Sequence, residues 1–159
     1  MLDSLRKLLT GLTGEAGETR RFEDNDYRLA AAALLVHVMQ VDGNISDTER
    51  SKLQTLIETR FSLSADDAAE LIREATLVEG EAVDLYRFTS LIMRSVDEDG
   101  RLRIVEMMWE LVFADGKVNE FEDNVIWRAA DLLGISTRQR VELRKRVGSS
   151  FPNTSTPNP

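Results

Sequence analysis

Cysteine is missing from all 159 residues, which excludes a disulfide framework, a zinc–thiolate site and a thiol nucleophile, and is compatible with a reducing compartment. Long apolar runs are missing too. The longest candidate, Leu29 to Val41, is interrupted by His37 and Gln40 and falls short of the ~18–20 residues that cross a bilayer. The opening MLDSLRKLLTGL lacks the unbroken apolar core and small-residue cleavage site of a signal peptide, so a cytoplasmic protein is expected. Positive charge is scarce: the formal net charge is −8 and the pI near 4.8. A duplex nucleic-acid binder needs a basic footprint to displace phosphate counterions; cations or basic protein partners fit this chain better. With a single histidine, no nucleophile–base arrangement, no Walker loop and no dinucleotide fingerprint, the chain reads as non-enzymatic.

What is present is a duplication. VDGNISDTE (Val41 to Glu49) and ADGKVNEFE (Ala114 to Glu122) share the pattern D-G-x-[IV]-x-x-x-E, 73 residues apart. An apolar run precedes each copy, AAAALLVHVMQ or IVEMMWELVF, and a helical pattern ending in LSADDAAEL or ISTRQRVEL follows each. Two like halves can fold against each other and bring two acidic loops onto one body.

The periodicities predict an all-α chain, one compact domain of about seven helices in two pseudo-symmetric halves. Residues 1–20 are read as an amphipathic helix with Leu2, Leu5, Leu8, Leu9 and Leu12 on one stripe, followed by a linker with Gly11, Gly14 and Gly17. That stripe docks either on its own domain or on a partner or membrane surface, giving peripheral inner-membrane contact through residues 2–12 as the alternative. The helical domain is placed at 21–148, with halves at about 26–80 and 99–148. A helix from about Asp26 to Val41 is apolar nearly all round and is expected at the centre of the first half. Ser46 with Glu49, Ser64 with Asp67, Asn119 with Glu122 and Ser136 with Gln139 open further helices. Val83 to Val96 and Ile104 to Phe113 complete the set, and Met107, Met108, Trp109 and Trp127 are assigned to the core. The tail from residue 149 to 159, with three prolines and small polar residues, has little to bury and is expected to be disordered.

Much of the D-G motif is explained by folding alone. Gly43 and Gly116 end helices, Glu49 and Glu122 close capping boxes, and Ile45 and Val118 tuck into the core. Asp42 and Asp115 are not, because each lies at a helix C-terminus where the macrodipole disfavours negative charge by roughly 0.3–1 kcal/mol. Either a loop N–H compensates each aspartate, or a divalent cation does, calcium first among them because it takes hard carboxylate and carbonyl oxygens. The second reading makes Asp42, Glu49, Asp115 and Glu122 candidate metal ligands. A third stretch, Ser95 to Glu106, falls near the twelve-residue EF-hand register, with Asp97, Asp99 and Glu106 at ligand positions and Gly100 at the turn. His37 and Glu110 are equivalent in the repeat; a pseudo-twofold axis makes them a candidate pair, whether as further metal ligands or as the acid–base couple of an uncharacterised hydrolase.

At YRLAAAALLVHVMQVDG followed by Glu49, and at RIVEMMWELVFADGKVNEFE followed by AADLLGIS, the chain resembles the TerB family of tellurite-resistance proteins and the related TerB-like region of membrane-bound J-domain co-chaperones. The resemblance runs from about Tyr27 to Val147. It implies seven helices in two related halves, no known enzymatic activity, association with metal or oxidative stress responses alongside other stress proteins, and divalent-cation binding through acids that map onto Asp42, Glu49, Asp115 and Glu122. Two positions differ between the halves: Val41 stands opposite Ala114 and His37 opposite Glu110, which sets the two hinges apart chemically. No J domain is visible, so co-chaperone activity does not carry over.

Overall fold

The computed structural model describes residues 22–23, 26–40, 45–81, 85–114 and 118–151. Seven helices and no strand occur among them: α1 Tyr27–Met39, α2 Asp47–Phe61, α3 Ala65–Glu81, α4 Tyr86–Ser95, α5 Glu98–Ala114, α6 Glu120–Leu132 and α7 Thr137–Ser149. None of the described helices is long and apolar enough to cross a membrane.

Helix α1 is the hub. Every residue from Leu29 to Met39 except His37 is buried, and its four consecutive alanines let neighbouring helices approach closely. Asp26 starts the helix, its carboxylate accepting from the Arg28 amide at 2.9 Å and from the Arg28 guanidinium at 3.1 and 2.8 Å. Burial alone would raise the Asp26 carboxyl, but these bonds to Arg28 outweigh it and hold the group below its ordinary value. A depressed carboxylate contributes stability above its unfolded pKa and loses it as pH falls through the folded one. Asp26→Ala should therefore cost about 1 kcal/mol near neutrality, measured by urea unfolding. The gap between the two proteins should close as the pH drops below about 4.

The expected caps form. Ser46 and Glu49 exchange two hydrogen bonds, as do Asn119 with Glu122 and Ser136 with Gln139, and the Ser64 hydroxyl accepts from the Asp67 amide at 3.1 Å. The apolar faces behind them enter the core at Leu53 and Ile57 of α2, Ala68, Leu71, Ile72 and Ala75 of α3, and Ile126, Ala129 and Ala130 of α6. Ile45 and Val118 pack back against that core from the hinge ends.

The packing reproduces the duplication. α1 packs most extensively on α3 and α5 on α7; α1 also meets α6, and α5 meets α2. Exchanging α1, α2, α3 for α5, α6, α7 leaves these relations unchanged, with α1 against α5 at the pseudo-axis. Helix α4 stands apart from both triplets and lies on α1 and α6.

Two boundaries differ from the sequence reading. α5 starts at Glu98 rather than Ile104, and the C-terminal order extends past residue 149, since Phe151 stacks on Phe113 at 6.4 Å between ring centroids; Val83, the expected start of α4, lies outside the described residues. Trp127 is half exposed rather than core, because it faces outward from α6 under the Arg140 guanidinium. Residues 1–20 and 152–159, with the N-terminal stripe and most of the tail, lie outside the described residues.

Candidate functional site

The described helix ends that flank the two hinges meet at one pole. A cleft of about 10 Å³ is lined by Met39 from the last turn of α1, Glu49 and Lys52 from the start of α2, Leu111 and Val112 from the last turn of α5, and Glu122 from the first turn of α6. Both hinge-leading helices end here and both hinge-following helices begin here. The volume is at the threshold for one water-sized occupant. Asp42 and Asp115, with the glycines beside them, lie outside the described residues.

Both motif glutamates reach the cleft while serving as caps. The Ser46 amide donates to Glu49 at 2.8 Å and the Asn119 amide to Glu122 at 3.2 Å. They are not alike in burial. Glu122 is 7% exposed, whereas Glu49 is half-buried, so the second half holds its carboxylate in the drier environment. Lys52 lines the same cleft, and its ammonium donates to the Ala114 carbonyl at the end of α5, tying α2 of one half to α5 of the other. Its repeat counterpart is Val125. Lys52 carried no signal in the sequence beyond its charge; its position 73 residues before an apolar residue is the one mark that could have singled it out.

His37 and Glu110 each have a partner other than the other. His37 Nδ1 lies 2.9 Å from Glu79 of α3, while Arg60 of α2 grips Glu110 through two hydrogen bonds and also lies 3.5 Å from Glu106. The expected pair fails because α1 turns His37 toward α3 of its own half, while α5 turns Glu110 toward α2 of the other half. The EF-like loop is likewise corrected. Asp97 caps α5, its carboxylate accepting from the Gly100 amide at 2.9 Å; Asp99 is in the first helical turn and Glu106 two turns further on, bonded to Arg146 at 3.3 Å. Wound into a helix, those acids cannot wrap one ion. Gly100 is accounted for by packing, because a Cβ there would come within 2.2 Å of the Val96 Cγ1. Among the described residues no group of three or more histidines or acids is arranged to hold a metal.

A family model described as "Tellurite resistance protein TerB" matches residues 28–145, a span that takes in all seven helices. No curated protein and no solved structure matched the chain.

Proposed function

Because the chain belongs to the TerB family of tellurite resistance proteins, we propose that it is a non-enzymatic binding protein whose two acidic hinges form one shared divalent-cation site. The observation that supports this reading is the convergence of Glu49 and Glu122 on a single cleft. Their carboxylates, with Asp42 and Asp115 from the hinges themselves, are the hard oxygen donors that calcium takes. The ion would supply charge that tightens the two halves against each other, as a sensor in a cytoplasmic metal or oxidative stress response. Tellurite is an oxyanion, so an acidic pole serves resistance indirectly, through partners rather than by capture. His37 and Glu110 are held by contacts with Glu79 and Arg60, which is a sufficient role for both without turnover.

Lys52 gives this reading a sharp consequence. Its ammonium lines the cleft that holds the two carboxylates and would repel an incoming cation. A ligand that binds only the folded protein stabilises it by mass action, about 2.7 kcal/mol at a hundredfold excess over Kd, equivalent to a rise in Tm on the order of 5–10 °C for a chain of this size. Calcium, magnesium, manganese and zinc titrations followed by thermal unfolding are expected to show such a rise for at least one ion. Lys52→Met is expected to strengthen the effect about tenfold in affinity, the ~1.4 kcal/mol of one nearby repelling charge. A flat response with both proteins would overturn the cation site. It would favour the second reading, an acidic protein-interaction scaffold with purely structural hinges, which the completed capping boxes of Glu49 and Glu122 support.

A further inference from the structure

A groove of about 880 Å³ runs between α2 and α5. Its floor is apolar, from Leu56, Leu111, Ala114 and Phe151, and its rim carries Lys52, Arg60 and Arg103. Arg60 is already held by Glu110 and Lys52 by the Ala114 carbonyl, so the rim makes little demand for an anionic ligand. The pseudo-twofold relation says what the groove lacks. It carries the α2–α5 pair onto the α6–α1 pair, and that second pair is covered by α4. The correspondence extends to the lining residues: Ala30 lines the seat of α4 beside Phe88 and Leu91, and its counterpart 73 positions on, Arg103, lines the groove. One half of the molecule has a helix across this position; among the described residues the other half has none.

We propose that the groove is the seat of the chain's own N-terminal segment, residues 2–12, as the counterpart of α4. Chain order agrees, since α4 immediately precedes α5 and the N-terminal segment precedes α1. The apolar pattern agrees as well. α4 and its lead-in residue bury Leu85, Phe88 and Ile92, at spacings of three and four, and Leu5, Leu8 and Leu12 repeat those spacings. Reach is sufficient: the ten residues from Leu12 to Phe22 span up to about 33–36 Å when extended, more than twice the ~14 Å radius of gyration of a domain this size. A leucine stripe on this floor also removes an apolar recess from water. The membrane-surface role for the same leucines requires them to be free, and a symmetry-matched seat that no described helix covers argues for the internal location.

The absence of cysteine makes the test direct, because a nitroxide can be attached at one engineered position of the full chain. The label goes on Thr55→Cys at the groove, or on Arg128→Cys, the repeat counterpart of Thr55 on α6. The amide signals of residues 2–12 are expected to lose most of their intensity with the label at 55 and to keep it with the label at 128. Leu5→Asp combined with Leu8→Asp should restore them and, in the unlabelled protein, shift the resonances of Leu56 and Leu111. Equal broadening from both labels, or none from position 55 together with unshifted Leu56 and Leu111 resonances in the double variant, would overturn the proposal. So would broadening that appears only when a labelled chain is mixed with an isotope-enriched unlabelled one, which would assign the groove to a second copy.

Discussion

Trp109→Ala is expected to lower the unfolding free energy by about 3–5 kcal/mol, whereas Trp127→Ala should cost less than about 1 kcal/mol. Both tryptophans lie on amphipathic helices of the second half, and nothing in their local sequence separates them. The packing does. Trp109 is 1% exposed on α5, tilted against Phe113 at 5.9 Å and covered by the Arg144 guanidinium at 5.1 Å. Removing it leaves a cavity among helices that cannot close it without moving α7 away from α5. Trp127 is 51% exposed, and its loss forfeits chiefly the Arg140 contact at 4.4 Å, a cation–π interaction worth ~0.5–1 kcal/mol at an exposed site. Urea denaturation of the two variants checks the contrast. For a chain of this length the Trp109 variant should melt on the order of 10 °C lower, and comparable losses for both would mean that α6 is packed differently.

The second large effect is on ligand response rather than on stability. Glu49→Gln with Glu122→Gln is expected to abolish the cation-induced rise in Tm while leaving the unliganded protein nearly as stable as before. Glutamine keeps the carbonyl oxygen that accepts from the Ser46 and Asn119 amides, so both capping boxes survive. What it removes is the negative charge. Thermal unfolding with and without a hundredfold excess of the ion should show the loss of about 2.7 kcal/mol of linkage stabilisation. A double variant that responds like the parent would place the ion elsewhere.

The parts of the fold that were legible in the sequence are those governed by local rules. Capping boxes need only residues three apart, and those read at Ser46 with Glu49, Asn119 with Glu122 and Ser136 with Gln139 all form. The all-round apolar character of α1 announced a central helix because a run from Leu29 to Met39 with one polar residue has no solvent face to offer. The duplication was readable because helix packing carried it through: equivalent helices make equivalent contacts. The failures concern rotation and choice of distant partner. Equivalence in the repeat suggested that His37 and Glu110 meet, yet each helix presents that position to a flanking helix with its own countercharge, Glu79 or Arg60. The acid-rich stretch from Asp97 resembled a metal loop because N-terminal helix turns favour the same residues, Asp97 as cap and Glu98 and Asp99 as charges complementary to the macrodipole. Composition alone cannot tell those two uses apart. The convergence of Glu49, Lys52 and Glu122 required the tertiary arrangement, for it depends on all four helix ends meeting at one pole.

The most direct test of that arrangement is the stoichiometry of cation binding by isothermal titration calorimetry, on the parent chain and on Glu49→Gln and Glu122→Gln singly. A site shared between the halves should bind one ion per chain, and either substitution alone should remove it. Two ions per chain, with each variant retaining one, would mean that the hinges act independently and would contradict the shared site.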